Sequence, residues 1–546
     1  MTEKKKGWKW WQQAALGAGV LVFVLLCLVI GFRKPWIEPL PGVRTTMTRP
    51  FVRESSLGPD SAYFLMLEAI RPFAKPPPVP AATGPGDLFP PEPDPELGWL
   101  PPPEPEPEPV PAWDQDWSEA LVKFRQFPWP ADLPPPALPV QAEAMDAFGG
   151  MGMFGASYSQ VLATPWTREQ CEDILRLVRL YEPRVALLDR ALAAPDPQMP
   201  TADSWNFSLD YLTNALRMAR WLAVSGHYRA GTGDSAGAFR DFERILGLGN
   251  LVCRGGVCIN YLVGIACDGM AADAAWVVAS RERVPAPVLR DAACAFLAAD
   301  DEAEPYVEAI RAEALLARND TKEIYQNPEL LYYLVTGHPI GSGKWSVVRY
   351  LNGLFPLAGS TPASTVRNLD ACYQHLVVFA EKPCREATLT EYQTFYSRLA
   401  CRHDLATLLF RTRDPFGRLL ANKLIGPLEG YCFRTAHREA ALRGMALFLA
   451  VRAYETEHGQ PPETLDALVP DYLPRVPEDP FDGQPFRYLR RNVPGLPPEA
   501  WAVYSVGENF TDEGGTAHGA GTSTPDHGIN PDFVWPSVDY PKAGEE

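Results

Sequence analysis

The sequence predicts a mainly α-helical protein carried on one N-terminal transmembrane helix. A proline-rich linker, an irregular helical bundle or solenoid and a small α+β C-terminal module complete the layout. Three observations predict it. An uncharged run of 19 residues, Ala14 to Phe32, lies near the N-terminus. Proline dominates the chain beyond Lys75. From Thr167 to about Arg452, apolar residues recur at helical spacing almost throughout. Residues 1–36 are therefore read as a cytoplasmic tip and anchor, and 37–75 as a juxtamembrane helical segment. Residues 76–140 form the linker, 141–436 the helical domain and 437–546 the C-terminal module.

The apolar run spans about 28 Å as a helix, close to the hydrocarbon thickness of a bilayer. Trp8, Trp10 and Trp11 precede it and Trp36 follows it, at the interfacial depths that indole rings prefer. It exceeds the length of a signal-peptide core and ends in Gly31-Phe32-Arg33-Lys34, without a small-x-small cleavage site. A retained anchor is expected, with membrane lipid around residues 14–32. Lys4, Lys5, Lys6 and Lys9 favour a cytoplasmic N-terminus, although Arg33, Lys34, Arg44, Arg49 and Arg53 on the other side weaken the bias. The expected place is the cell membrane, single-pass, with the bulk of the chain extracytoplasmic.

Composition bounds the function. Of the 546 residues, 46% are hydrophobic and 21% charged, so most of the chain can bury a core. The net charge of −17 argues against nucleic acid, because a phosphate backbone calls for clustered Lys and Arg. The ten cysteines show no framework spacing. Cys253 and Cys258 are the one close pair outside the apolar run; a bridge between them and two free thiols both remain open.

A short amphipathic helix is expected over Ser61 to Phe73. The proline stretch from Lys75 to Val110 loses donors and fixes φ, so it reads as an extended, semi-rigid spacer, with a docking motif for an aromatic-lined groove as the alternative. A capping box, Thr167-Arg168-Glu169-Gln170, opens the helical domain. Helices are expected from about Ser208 to Val224 and from Ser235, joined as an antiparallel hairpin, and then over Cys258–Ser280, Ala286–Ala299, Pro305–Ala317, Ala363–Ala380, Leu389–Arg411 and Arg438–His458. Val257 to Met270 is nearly apolar all round, as a central helix would be.

Two motifs fail on spacing. Gly341-Ser342-Gly343-Lys344 lacks the first glycine of a phosphate loop at the required distance, and Trp345 stands where a magnesium-binding hydroxyl belongs. Cys401, His403 and Asp404 share one helical turn but point to different sides of it. The remaining candidate is an acidic loop. Asp512, Glu513, Asp526 and Asp532 lie among Gly514, Gly515, Gly519, Gly521 and Gly528. Calcium takes six to eight hard oxygen ligands, and glycines let backbone carbonyls turn inward. A solvated acidic loop is the alternative.

The C-terminal segment carries an ordered set of motifs: Tyr454, His458-Gly459, Pro461, Leu465, Leu468, Asp479-Pro480, Gly483, Pro485, Tyr488, Tyr504-Ser505 and Gly507, ending in Asp532-Phe533-Val534-Trp535. This order resembles the globular domain of type II secretion major pseudopilins, over about one fifth of the chain. The resemblance implies a small α+β fold and calcium in the acidic loop. The N-terminus departs from that family, with no cleavage site followed by Phe or Met and a Glu four residues on. The whole layout, including Leu262 to Ile265, resembles envelope proteins of planctomycete-type bacteria, a resemblance that implies no activity. The function expected is a non-enzymatic envelope scaffold or interaction protein with envelope protein partners. A secretion or pilus-assembly component and a hydrolase with an unrecognised site are the alternatives.

Overall fold

The computed structural model describes residues 37–71, 168–195, 197–204, 207–327, 360–383, 414, 417–418, 420–421, 425, 431–494, 496–515 and 532–537. The expected anchor over residues 14–32, the linker over 76–140, the helix expected at Leu389–Arg411, Gly341 to Lys344, Cys401 to Asp404 and Asp526 lie outside the described residues.

Helices dominate. They are α1 (Ala62–Ile70), α2 (Arg168–Leu192), α3 (Asp210–Gly231), α4 (Ser235–Cys253), α5 (Cys258–Arg281), α6 (Ala286–Asp301), α7 (Tyr306–Gln326), α8 (Pro362–Ala380) and α9 (Tyr431–His458). Three short strands follow, β1 (Arg487–Leu489), β2 (Ala502–Ser505) and β3 (Phe533–Pro536). Two compact units divide the chain: residues 64–190 form one, and residues before 64 together with those from 191 onward form the other. Within the smaller unit, the Arg184 guanidinium donates to the Arg71 carbonyl.

Local chemistry sets the helix ends of the larger unit. Gly233, at φ +90°, lets the chain turn after α3. Asp234 then caps α4 by accepting from the Gly237 N–H at 2.9 Å. Pro285 and Pro305 stand immediately before α6 and α7, where their missing N–H and fixed φ cost nothing. Thr361 and Ser364 form a reciprocal capping box at the start of α8. Helix α7 runs to Gln326, well past the expected end at Ala317, because Asp320, Thr321 and Ile324 are buried and continue its packed face.

Helix α5 occupies the centre, packed by α3, α4, α7 and α9. Gly249 of α4 and Gly264 of α5 face one another closely; a Cβ on Gly249 would sit 3.1 Å from the Gly264 carbonyl. That contact gives the Leu-Val-Gly-Ile run a packing role. By length and composition α5 is able to cross a membrane. Its surroundings are those of a core helix, and it carries Asp268 in mid-length. Helix α8 lies on the outer flank of α7, and α6 packs against α4 and α9.

The sheet is an antiparallel meander in the order β1-β2-β3, with Tyr488 opposite Val503 and Val503 opposite Trp535. One face packs on α9, where Phe448 and Trp501 have ring centroids 5.3 Å apart. The other buries Val493, Tyr504 and Val534 with Leu489 and Leu496. Helix α9 thus serves both the sheet and the helical array. It begins at Tyr431, so the residue 437 boundary drawn from sequence falls inside it.

Residues 37–52, ahead of the linker, are built into the larger unit. Ile37 lies in the apolar cluster with Tyr373, Leu376 and Val377 of α8. The Leu40 N–H donates to Gln374 Oε1 at 2.8 Å, Thr48 donates to both Glu308 carboxylate oxygens, and Arg49 pairs with Glu304 at 2.7 Å. Residues 37–52 thereby pack in the same unit as α7 and α8.

Candidate functional site

The acidic loop grows out of the sheet, and its base is held by the Asp-Pro-Phe-x-Gly turn. Asp479 is fully buried. Its carboxylate accepts from the Phe481 N–H (3.0 Å), the Ser505 hydroxyl (2.9 Å) and the Val506 N–H (3.0 Å). Burial pushes this carboxyl up, and those donors pull it back. Gly483, at φ +72°, closes the turn by donating to the Asp479 carbonyl at 2.8 Å. Asp479 is thus a staple between the turn and the end of β2, which explains why the motif pairs with Tyr-Ser-x-Gly.

Arg487 on β1 links the turn to the loop. It contacts Asp482, lies 3.3 Å from Asp479 Oδ2 and 3.7 Å from Asp512 Oδ2. Burial works against the charge of Asp482, but Arg487 and the Gln484 N–H hold it below the usual carboxylate range. Asp512 accepts from the Tyr504 hydroxyl at 3.1 Å and from the Gly514 N–H at 2.9 Å. It is turned toward β1 and β2.

Glu513 and Asp532 come together. Gly514 and Gly515 both adopt positive φ, +76° and +73°, which wraps the backbone around the Asp532 carboxylate. Asp532 accepts from the Gly515 N–H at 2.8 Å and the Glu513 N–H at 3.4 Å. The Glu513 side chain is hydrogen-bonded to it as well. Burial, with Glu513 beside it, pushes Asp532 up to about 6, against the two backbone donors. The pair therefore closes the base of the loop.

Hard-oxygen cations fit this donor chemistry in part. Glu513 and Asp532 would supply two ligands, while Asp512 is engaged by Tyr504 and Arg487. Among the described residues no group of three His, Cys, Asp or Glu side chains is arranged to hold a metal ion. A full calcium shell would have to draw on Asp526 and on chain beyond the described residues.

A second arrangement escapes sequence reading, in which His437 stands isolated. In the structure its ring meets Phe481 and Phe533, with centroids 5.2 and 4.8 Å away. Nδ1 faces the Phe433 carbonyl at 2.7 Å. Nε2 lies 3.2 Å from Glu508 Oε1 but off the line that a hydrogen bond needs. Burial lowers His437 to about 4 and raises Glu508. Burial thus disfavours charge on both side chains, and the contact, set beside an aromatic wall, reads as packing. Phe510 extends that wall from a left-handed backbone, φ 56°, and is 41% exposed. Cys253 and Cys258 are both free and buried, and burial pushes each thiol up.

No family model matches the chain, and neither a curated protein nor a solved structure matches it.

Proposed function

We propose that the chain is a membrane-anchored, non-enzymatic envelope scaffold whose C-terminal module meets other envelope proteins. The observation that carries this reading is the built-in juxtamembrane segment. Ile37 is a core residue of the helical unit, and Arg33, Lys34, Pro35 and Trp36 alone separate it from the apolar run. A chain attached this way transmits position and force between bilayer and domain.

The use of buried charge supports the same reading. Arg438 and Asp268, Arg443 and Asp300, and Arg49 and Glu304 each join elements far apart in sequence. Such ties fix how helices pack. The pseudopilin-like reading of residues 437–546, with calcium at the acidic loop and a role in secretion or pilus assembly, is part of the proposal and rests on motif order in the sequence.

The test is chemical crosslinking in intact cells, followed by purification of the full-length chain from detergent-solubilised membranes. The reading expects stoichiometric crosslinks between residues 437–546 and other envelope proteins. A chain that purifies alone, or one whose crosslinks stay within itself, would overturn it.

A further inference from the structure

We infer that the α8 flank of the helical unit, around Ile37 to Arg44 and Gln374 to Val378, lies against the bilayer and takes anionic lipid headgroups. The inference rests on the anchor reading of residues 14–32 and deepens it. Four residues, Arg33 to Trp36, join the apolar run to Ile37; fully extended they reach about 14 Å. Ile37 has no freedom to swing, because it is buried with Tyr373 and Leu376. The next residues are fixed as well. The Glu38 carbonyl lies 3.0 Å from His375 Nε2, and the Val43 carbonyl accepts from Gln374 Nε2 at 3.4 Å. Whichever way the unit turns about the anchor, this corner of α8 stays within reach of the headgroups.

The opposite flank is defined by the same packing. Helix α8 packs on α7, α7 on α5, and α6 lies beyond α4 and α9. The segment after α9 is tied to α6: Arg475 pairs with Asp301, and the Cys294 thiol faces the Tyr472 carbonyl at 3.6 Å. Membrane apposition of α8 therefore points the C-terminal module away from the bilayer, where a partner is able to reach it.

Charge selects the lipid. The chain as a whole carries −17, which an anionic surface would repel. Between Arg33 and Arg53 the balance reverses: Arg33, Lys34, Arg44, Arg49 and Arg53 stand against the single acid Glu38. Arg49 is committed to Glu304, whereas Arg44 is exposed. Basic residues beside a membrane segment are attracted to anionic headgroups.

The test uses the full-length chain in phosphatidylcholine vesicles with and without phosphatidylglycerol. A photo-crosslinking amino acid replaces Val378, one turn on from Gln374, or Asp471 in the C-terminal module. Flotation with the vesicles reports the anchor independently. The expected result is lipid capture at position 378 but not at 471. Capture at 378 should be stronger with phosphatidylglycerol and reduced severalfold by Arg44→Glu. A flexible Gly-Ser insertion between Trp36 and Ile37 should abolish capture at 378 while flotation persists. Equal capture at 378 and 471 in a chain that floats would overturn the apposition and leave the anchor standing. Capture indifferent to phosphatidylglycerol and to Arg44→Glu would overturn the headgroup assignment. A chain that fails to float would overturn both readings.

Discussion

Arg438 donates its Nε hydrogen to Asp268 Oδ2 at 2.5 Å, with both side chains no more than 2% exposed. Arg438 also donates to Asn250 Oδ1 at 2.9 Å, and Asn250 Nδ2 reaches the Ala299 carbonyl at 3.0 Å. One guanidinium thereby joins α9, α5, α4 and α6. Burial raises Asp268 against the pull of Arg438. Arg438→Ala leaves a carboxylate buried without its partner and should cost about 3–5 kcal/mol in chemical unfolding. The double variant Arg438→Met, Asp268→Leu should cost less than either single change, because no charge is then stranded. A double variant worse than both singles would show that the pair stabilises by attraction.

Gly444 on α9 touches the Trp535 ring, and a Cβ there would run into it. Gly444→Ala should therefore destabilise by about 1–3 kcal/mol, despite the better helix propensity of alanine. In a Trp535→Ala background the same change should be neutral or stabilising, a coupling of about 0.5–3 kcal/mol. Additive effects would mean that β3 does not dock on α9 as described.

The pH dependence has two opposed parts. Buried His227 and His437 titrate near about 4 when folded and about 6.5 when unfolded. The unfolded chain takes up their protons first as pH falls, so stability is lost from about 6.5 down towards 4. Asp532 works the other way. It titrates at about 6 when folded and at about 4 when unfolded, so its contribution is present at acid pH and lost as pH rises through 6. His437→Gln should flatten the acid loss of stability, and Asp532→Asn should steepen it. Matching shifts of the same sign would contradict the assignment.

Calcium at the loop is the fourth test. If it binds the Glu513–Asp532 pair in the folded state only, a 100-fold excess over its dissociation constant should add about 2.7 kcal/mol. Magnesium should substitute poorly, since it demands a tighter octahedral shell. Glu513→Gln with Asp532→Asn should remove the effect. The full chain is the right object for this measurement, because α9 belongs to the helical array as much as to the sheet. The same melting temperature with calcium and with chelator would leave the pair as a hydrogen-bonded loop clasp.

The helices were legible because their buried faces repeat at helical spacing, and Asp234, Pro285 and Pro305 mark the starts of three of them. The expected starts at Ser235, Cys258 and Ala286 coincide with those of α4, α5 and α6. The strands were readable only as a tyrosine strand and a Tyr-Ser-x-Gly motif, since three- and four-residue strands have too little periodicity to mark themselves. The acidic loop was half legible: composition gathered Asp512, Glu513 and Asp532, but not the fact that Arg487 and Tyr504 draw Asp512 away. Asp268 was passed over in a run read as a central apolar helix, although a carboxylate there implies a buried partner. That the partner is Arg438, 170 residues later, depends on tertiary packing that no local pattern encodes. The same holds for Ile37, whose apolar cluster draws on residues of α5, α7 and α8.

The central claim is that an uncleaved anchor at residues 14–32 leads directly into this helical unit. Its most direct measurement is alkaline extraction of cell membranes followed by mass spectrometry of the N-terminus of the retained chain. The account predicts a chain that stays in the membrane pellet and keeps the residues before Arg33. A chain released into the supernatant, or one beginning near Arg33, would contradict it.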